Sequence, residues 1–195
     1  MTVVWFSADQ HFGHANIIRH CDRPFSDVAT MDAVLIERWN AVVGEQDEVW
    51  CLGDFAMKID QAVAITPLLK GRKRLIAGNH DNCLGDSESK QLRRDALMNA
   101  GWETIDEFGM IKLDGYSVLL AHLPYAGEED IYPCRNLKRP VDNGSWLLHG
   151  HIHNHWIQKQ RMINVGVDVW DFAPISAAKI LEIIVPYERI FEPIF

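Results

Sequence analysis

The stretch VVWFSADQHFGH, residues 3–14, runs from apolar and aromatic side chains directly into a group of polar, ligand-type ones. Val3 to Phe6 reads as a buried strand. Asp9 and His11 fall just past its end, and strand ends are where ligands bind in α/β proteins. Asp and His are metal-ligand types, yet an isolated D-x-H serves equally well as a polar turn. What decides between the two is whether the remaining chain supplies partners at matching places.

It does so at one strand end after another. Glu48 to Leu52 reads as a second strand, closed by Gly53-Asp54, and Arg74 to Ala77 as a third, closed by Gly78-Asn79-His80-Asp81. Helical patterns lie between and after them. Thr30 is a candidate cap for a helix carrying Val34, Leu35, Trp39 and Val42-Val43 and stopped by Gly44. Ile59 to Leu69 is a weaker helix shortened by Pro67, and Glu88 to Asn99 is a third, ending at Gly101. In the second half, Met110–Leu113 and Tyr116–Ala121 flank Asp114-Gly115, a strong hairpin signal. His122 follows that hairpin. Ser145 to Leu148 reads as a strand leading into HGHIHNH, which carries His151 and His153, and Met162 to Val167 as another. Ser176 is expected to cap a last helix through Ile184, with Pro186 to Phe195 as a tail. The long stretch from His122 to Asn143 is expected to form one wall of a pocket. Strand–helix alternation followed by a hairpin-rich half implies a layered α/β sandwich, with residues 1–195 as one domain.

Bulk properties narrow the function classes. The chain has 195 residues, enough for a sizeable core, and seven Trp with eight Phe to fill it. A net charge of −8 disfavours extended duplex nucleic acid, whose binding draws on Lys and Arg. Small phosphorylated substrates stay open, since a site can be locally positive in an acidic protein. No apolar run approaches a membrane span. Four scattered cysteines and the lack of a leader pattern at the N-terminus point to reduced thiols and a cytoplasmic location. Oligomeric state is not encoded in any of these features.

Asp9-x-His11, Gly53-Asp54, Gly78-Asn79-His80-Asp81, His122 and Gly150-His151-x-His153 together resemble the five ordered motifs of the calcineurin-like metallophosphoesterase superfamily. The opening DQHFGHANIIRHCDRPF, residues 9–25, is similar to a compact bacterial and phage branch of it. One departure is Ala121-His122, where many members carry Gly-His; the ligand itself is kept. The resemblance implies a four-layer α/β/β/α sandwich and a dinuclear site. Asp9, His11 and His153 would hold one metal, Asn79, His122 and His151 the other, and Asp54 would bridge. His80 would be the catalytic histidine, oriented by Asp81.

The chemistry agrees with that assignment. Seven donors are too many for one ordinary site and suit two metals sharing a carboxylate. Two dications less Asp9, Asp54 and a bridging hydroxide leave roughly one net positive charge to attract phosphate. Nitrogen and oxygen donors without thiolate suit Mn, Fe, Zn, Ni or Co better than Ca or Mg. The hydroxide would be the nucleophile, and His80 would protonate the leaving oxygen, a task to which an imidazole is suited. A phosphodiesterase on nucleotide-like or other small diesters is the leading expectation. A phosphomonoesterase of the same mechanism and a non-catalytic metal-binding scaffold are the alternatives. His14, Asn16, Arg23 and Arg139 are candidate substrate contacts. Asp168 lies either near the site, through the strand end at 164–168, or in a plain turn, the preferred reading, and His20, His149 and His155 read as supporting or surface residues.

Overall fold

The computed structural model describes residues 2–125, 134 and 137–191. Its first sheet contains β1 (Val4–Ser7), β2 (Glu48–Cys51), β3 (Arg72–Ile76) and β4 (Trp102–Asp106) side by side and parallel. The short β10 (Ile175–Ser176) runs antiparallel on the β1 edge. The second sheet has the order β5 (Gly109–Leu113), β6 (Tyr116–Leu120), β7 (Trp146–His149), β9 (Met162–Asn164), β8 (Gln158–Lys159). Within it β6, β7 and β9 are parallel, so their C-terminal ends leave on one edge. The helices are α1 (Ala15–His20), α2 (Val28–Val42), α3 (Ile59–Ile65), α4 (Glu88–Ala100) and α5 (Ala177–Phe191).

Alternation along the strands sorts the side chains into layers. Val49, Cys51 and Leu75 face Met31, Leu35 and Trp39 of α2 and Leu97 of α4. The intervening Phe6, Leu52 and Ile76 face the opposite way, onto Val118, Leu120, Leu148 and Ile163 of the second sheet. Ile180 and Ile184 of α5 close that inner core. Each large side chain buried in this way contributes about 1.5–3 kcal/mol. The result is the expected α/β/β/α architecture, two sheets flanked by helices.

Several element boundaries differ from the sequence reading. Asp27, not Thr30, caps α2, with Asp27 Oδ1 accepting the Thr30 N–H at 2.8 Å. The strand β4 follows Gly101 directly and was not anticipated. The short α1 begins at the helix N-terminus that the polar residues His14 and Asn16 allow, but its entry residue His14 makes no side-chain cap. Ser176 closes β10 and also accepts from the Lys179 N–H at 3.2 Å, as a cap would. The helix beyond it passes straight through Pro186. Pro186 removes one backbone hydrogen bond, while its neighbours make new contacts: Tyr187 packs edge-on against Trp146, and Glu188 accepts from Trp146 Nε1 at 2.8 Å and Arg161 Nε at 2.9 Å. Of the anticipated long loop, residues 126–133 and 135–136 lie outside the described residues, as do 192–195 of the tail. Among the described residues no helix is long and apolar enough to cross a membrane.

Candidate metal centre

The strand exits of both sheets meet above the inner core. Backbone pairing continues past the strands: Asp9 N–H donates to the Gly53 carbonyl, His11 N–H to Asp54, and Phe12 N–H to Phe55. Gly150 N–H donates to His122, and Val167 N–H crosses from the second sheet to Ala8. The ligand-bearing loops are therefore fixed ladders rather than free ends.

Five of the seven ligand candidates, Asp9, His11, Asp54, His151 and His153, have φ between +50° and +73°. This left-handed region costs a non-glycine residue free energy and collects at functional sites. Glycines let the turns press against the carboxylates. A Cβ at Gly78 would lie 2.2 Å from Asp54 Oδ1, and one at Gly150 would lie 2.7 Å from Asp9 Oδ2. Any side chain there would displace the carboxylate.

Two donor clusters result. Asp9, His11 and His153 offer ligand atoms all within 4.8 Å of one another, and so do Asp54, His122 and His151. Asp54 lies between them, its Oδ2 at 3.5 Å from His11 Nε2 and 3.4 Å from His122 Nε2. Asn79 joins the second cluster, Oδ1 at 3.1 Å from His122 Nε2. All seven residues named from the sequence are thus brought to one place.

The donors fit divalent metals. His11 Nε2 is buried and has no hydrogen-bond partner, an arrangement expected of a ligand atom rather than a structural one. His122 Nδ1 lies 2.8 Å from the Leu52 carbonyl; donating there turns the Nε2 lone pair toward Asp54. His153 Nδ1 stands 3.0 Å from Asp168 Oδ2, which orients its ring in the same way. Burial pushes the Asp9 carboxyl up to about 6 and holds His11 well below the usual imidazole range. Burial alone would also lower His122 and His153, but Asp54 beside the one and Asp168 beside the other raise them to about 9 and about 10. Without metal, protons occupy these imidazoles. Asp54 itself is held well below the carboxylate range, its burial outweighed by His122 and His11.

His80 stands at the mouth, its side chain 36 % exposed, with Nε2 3.8 Å from Asp54 Oδ2 and its N–H donating to Asp54 Oδ1 at 2.9 Å. Asp81 does something other than orient that ring. Its carboxylate accepts the N–H groups of Gly78 (2.7 Å), Asp54 (2.9 Å) and Phe55 (3.1 Å), locking the β2 and β3 exits together. Burial raises it to about 7.

Arg23 is a clear departure from expectation, for its guanidinium is buried. It forms a bidentate pair with Asp168 (Nε–Oδ1 2.7 Å, Nη2–Oδ2 2.9 Å) and donates to the carbonyls of Asp9 (2.6 Å) and Gln10 (2.9 Å). No donor is left facing a substrate, so Arg23 is a buttress under the first cluster. Asp168 is the matching half of that buttress, so of its two readings the one near the site holds and the plain turn does not. The separation of Arg23 and Asp168 by 145 residues hid the pairing. His14 touches the site, with Nδ1 3.3 Å from His11 Nδ1, and burial lowers its pKa. Asn16 is exposed on α1, and Arg139 donates to the Pro124 carbonyl at 3.2 Å, beside the loop that follows His122. A cleft of about 350 Å³ opens beside His11, His14, Ile17, His80 and His153.

Comparison with known proteins agrees with this geometry. The chain is 32 % identical over 194 residues to an uncharacterized protein of Methanocaldococcus jannaschii, covering 94 % of this chain and 92 % of that one. It is 36 % identical over 198 residues to the gene 66 protein of Mycobacterium phage D29, covering 92 % and 95 %. A crystal structure of a protein of unknown function from Aquifex aeolicus superposes with a TM-score of 0.66 at 25 % identity, covering 94 % of this chain and all of the other. The model of the calcineurin-like phosphoesterase superfamily domain matches residues 5–176, spanning every ligand candidate. The chain belongs to the calcineurin-like phosphoesterase superfamily.

Proposed function

We propose that the whole chain acts as one catalytic domain that hydrolyses phosphodiesters of nucleotide-like or similar small size, using two divalent transition metals. The observation that carries this reading is the pair of donor clusters sharing Asp54. Asp9, His11 and His153 would hold one ion, Asn79, His122 and His151 the other, with Asp54 common to both. Such ions supply Lewis acidity and activate water near neutral pH. Mn, Fe, Zn, Ni and Co suit this donor set.

The chain's own residues do the rest. Only two of the seven donors are carboxylates, so the site keeps net positive charge for a phosphoryl group. His80, exposed enough to meet substrate and close to Asp54, is placed to give its proton to the leaving oxygen. Asp81 is a positioning residue: it holds the Asp54 turn through backbone N–H groups. A proton donor matters most when the leaving group is a poor alkoxide, which favours diesters of sugars and nucleosides over activated esters.

The test is metal-stripped protein reloaded with Mn²⁺ and assayed on bis-p-nitrophenyl phosphate and p-nitrophenyl phosphate beside His80→Ala. Metal-dependent turnover of bis-p-nitrophenyl phosphate is expected, with a loss in His80→Ala that is small on this activated ester and reaches about 10²–10⁴-fold on the dinucleotide ApA, whose leaving group is an alkoxide. Turnover of the monoester alone would replace the diesterase reading with a phosphatase. Two metals bound with neither ester cleaved would favour a scaffold.

A further inference from the structure

Two cavities flank the centre, and they differ in character. The first, about 350 Å³, carries His14, Ile17, His20 and Cys21 beside the ligands His11 and His153. Among the described residues its lining holds no Lys, Arg, Asp or Glu; aliphatic, thiol and imidazole groups make up that wall. Such a surface suits a flat, uncharged group. The second, about 260 Å³, opens beside Asn79 of the other cluster, with Gly78, Asn82, Leu84, Lys90 and Leu137. Among the described residues the two share no lining residue.

Lys90 sets the second cavity apart. It sits in the first turn of α4, where the helix dipole disfavours a cation. Its ammonium nevertheless folds back over the preceding loop: a Cβ at Gly85 would lie 3.3 Å from Lys90 Nζ. It forms no ion pair with any described residue. The amide of Asn82 shares the cavity, its Nδ2 donating to the His80 carbonyl at 3.2 Å. A half-buried cation without a carboxylate, one cavity wall away from a metal-ligand candidate, is what an anionic substituent would require.

Resting on the phosphoesterase reading, we infer that the substrate is an unsymmetrical phosphodiester. One substituent is flat and uncharged and lies against Ile17, His14 and His20. The other bears an anionic group that meets Lys90 and Asn82. The scissile phosphorus lies between, over Asp54 and beside His80. Hydrolysis breaks one P–O bond; water supplies the hydroxyl to phosphorus and the proton to the leaving oxygen.

The probe pair is 5′-phosphorylated diadenylate, pApA, and its unphosphorylated counterpart ApA, which differ only in the terminal phosphate. With Mn²⁺-loaded enzyme at about 50 mM salt, kcat/KM for pApA is expected to exceed that for ApA about tenfold and to approach it as salt rises. Lys90→Met should bring the ratio below about threefold, and Lys90→Arg should keep most of it. Adenosine should inhibit wild type and Lys90→Met alike, through the uncharged cavity. A ratio near one in wild type, or one unchanged in Lys90→Met, overturns the anionic subsite, and failure of adenosine to inhibit overturns the uncharged one. In each of those cases continued cleavage of bis-p-nitrophenyl phosphate leaves the phosphoesterase reading standing. Silence on all three diesters overturns the diesterase reading and the inference with it.

Discussion

The two donor clusters are built alike at the ligands and differently behind them. In the first, His153 rests on Asp168, which is itself paired with the buried Arg23, and Arg23 also grips the Asp9 carbonyl. In the second, His122 rests on a neutral backbone carbonyl, Leu52 O, and Asn79 contributes an uncharged amide. A carboxylate behind an imidazole makes the ligand more basic than a carbonyl does. The first cluster should therefore hold its ion more tightly, and the second should be the weaker and more exchangeable one.

The largest expected effect comes from removing what the clusters share. Asp54→Asn takes away the common carboxylate oxygen charge between His11 and His122, and kcat/KM on bis-p-nitrophenyl phosphate should fall on the order of a thousandfold. An activity loss below tenfold would mean that the clusters do not act as a unit. Asp168→Asn sharpens the contrast by touching only one side. It should weaken the tighter of two Mn²⁺ binding events by about 10–100-fold in calorimetric titration, leaving the other nearly unchanged. It also leaves Arg23 buried without its counter-charge, so melting temperature should drop as well. Asn79→Ala is the converse, expected to weaken only the second event.

A backbone change tests how tightly the second side is built. At Gly78, where a Cβ would meet Asp54 Oδ1 at 2.2 Å, Gly78→Ala should destabilise the protein by about 1–3 kcal/mol and lower affinity for the shared ion. Denaturant melts with and without Mn²⁺ separate the two effects. The smallest effect is a pH dependence of the metal-free protein. His122 and His153 are raised from 6.5 to about 9 and about 10. A raised folded-state value means their stabilisation is complete below about pH 6.5 and is lost as pH climbs through about 9 to 10. In chelator, the melting temperature should fall by a few degrees from pH 7 to pH 10. Saturating Mn²⁺ should flatten that slope, because binding displaces the protons; an equal slope would place the ions elsewhere.

Much of this was legible in the chain because the signals were local. Strands β1, β2 and β3 each end in buried side chains, and the ligand groups follow them within a few residues, so order alone aligned Asp9, Asp54 and Asn79. Asp114-Gly115 likewise announces its own hairpin, with φ of 46° and 87° and Leu113 facing Tyr116. What escaped depends on partners far along the chain. Helix α5 survives Pro186 through contacts to Trp146 and Arg161, more than twenty residues upstream. Strand β4 alternates imperfectly, with Trp102 and Ile105 as its buried positions, and its pairing with β3 contains a register shift between Lys73 and Arg74. Arg23 looked like a phosphate contact because an arginine near a site has two uses, and only its burial against Asp168 distinguishes them. Asp81 follows the same pattern, since its three backbone donors come from two different strand exits.

A joint titration of metal content and activity tests the shared centre most directly. Metal-free protein is loaded stepwise with Mn²⁺, and bound metal and bis-p-nitrophenyl phosphate turnover are read at each step. Two ions per chain are expected, with turnover rising only as the second is taken up, and with Asp54→Asn failing to acquire that second, active stage. Full turnover at one ion per chain, or turnover that ignores metal altogether, would contradict a centre built from two clusters around Asp54.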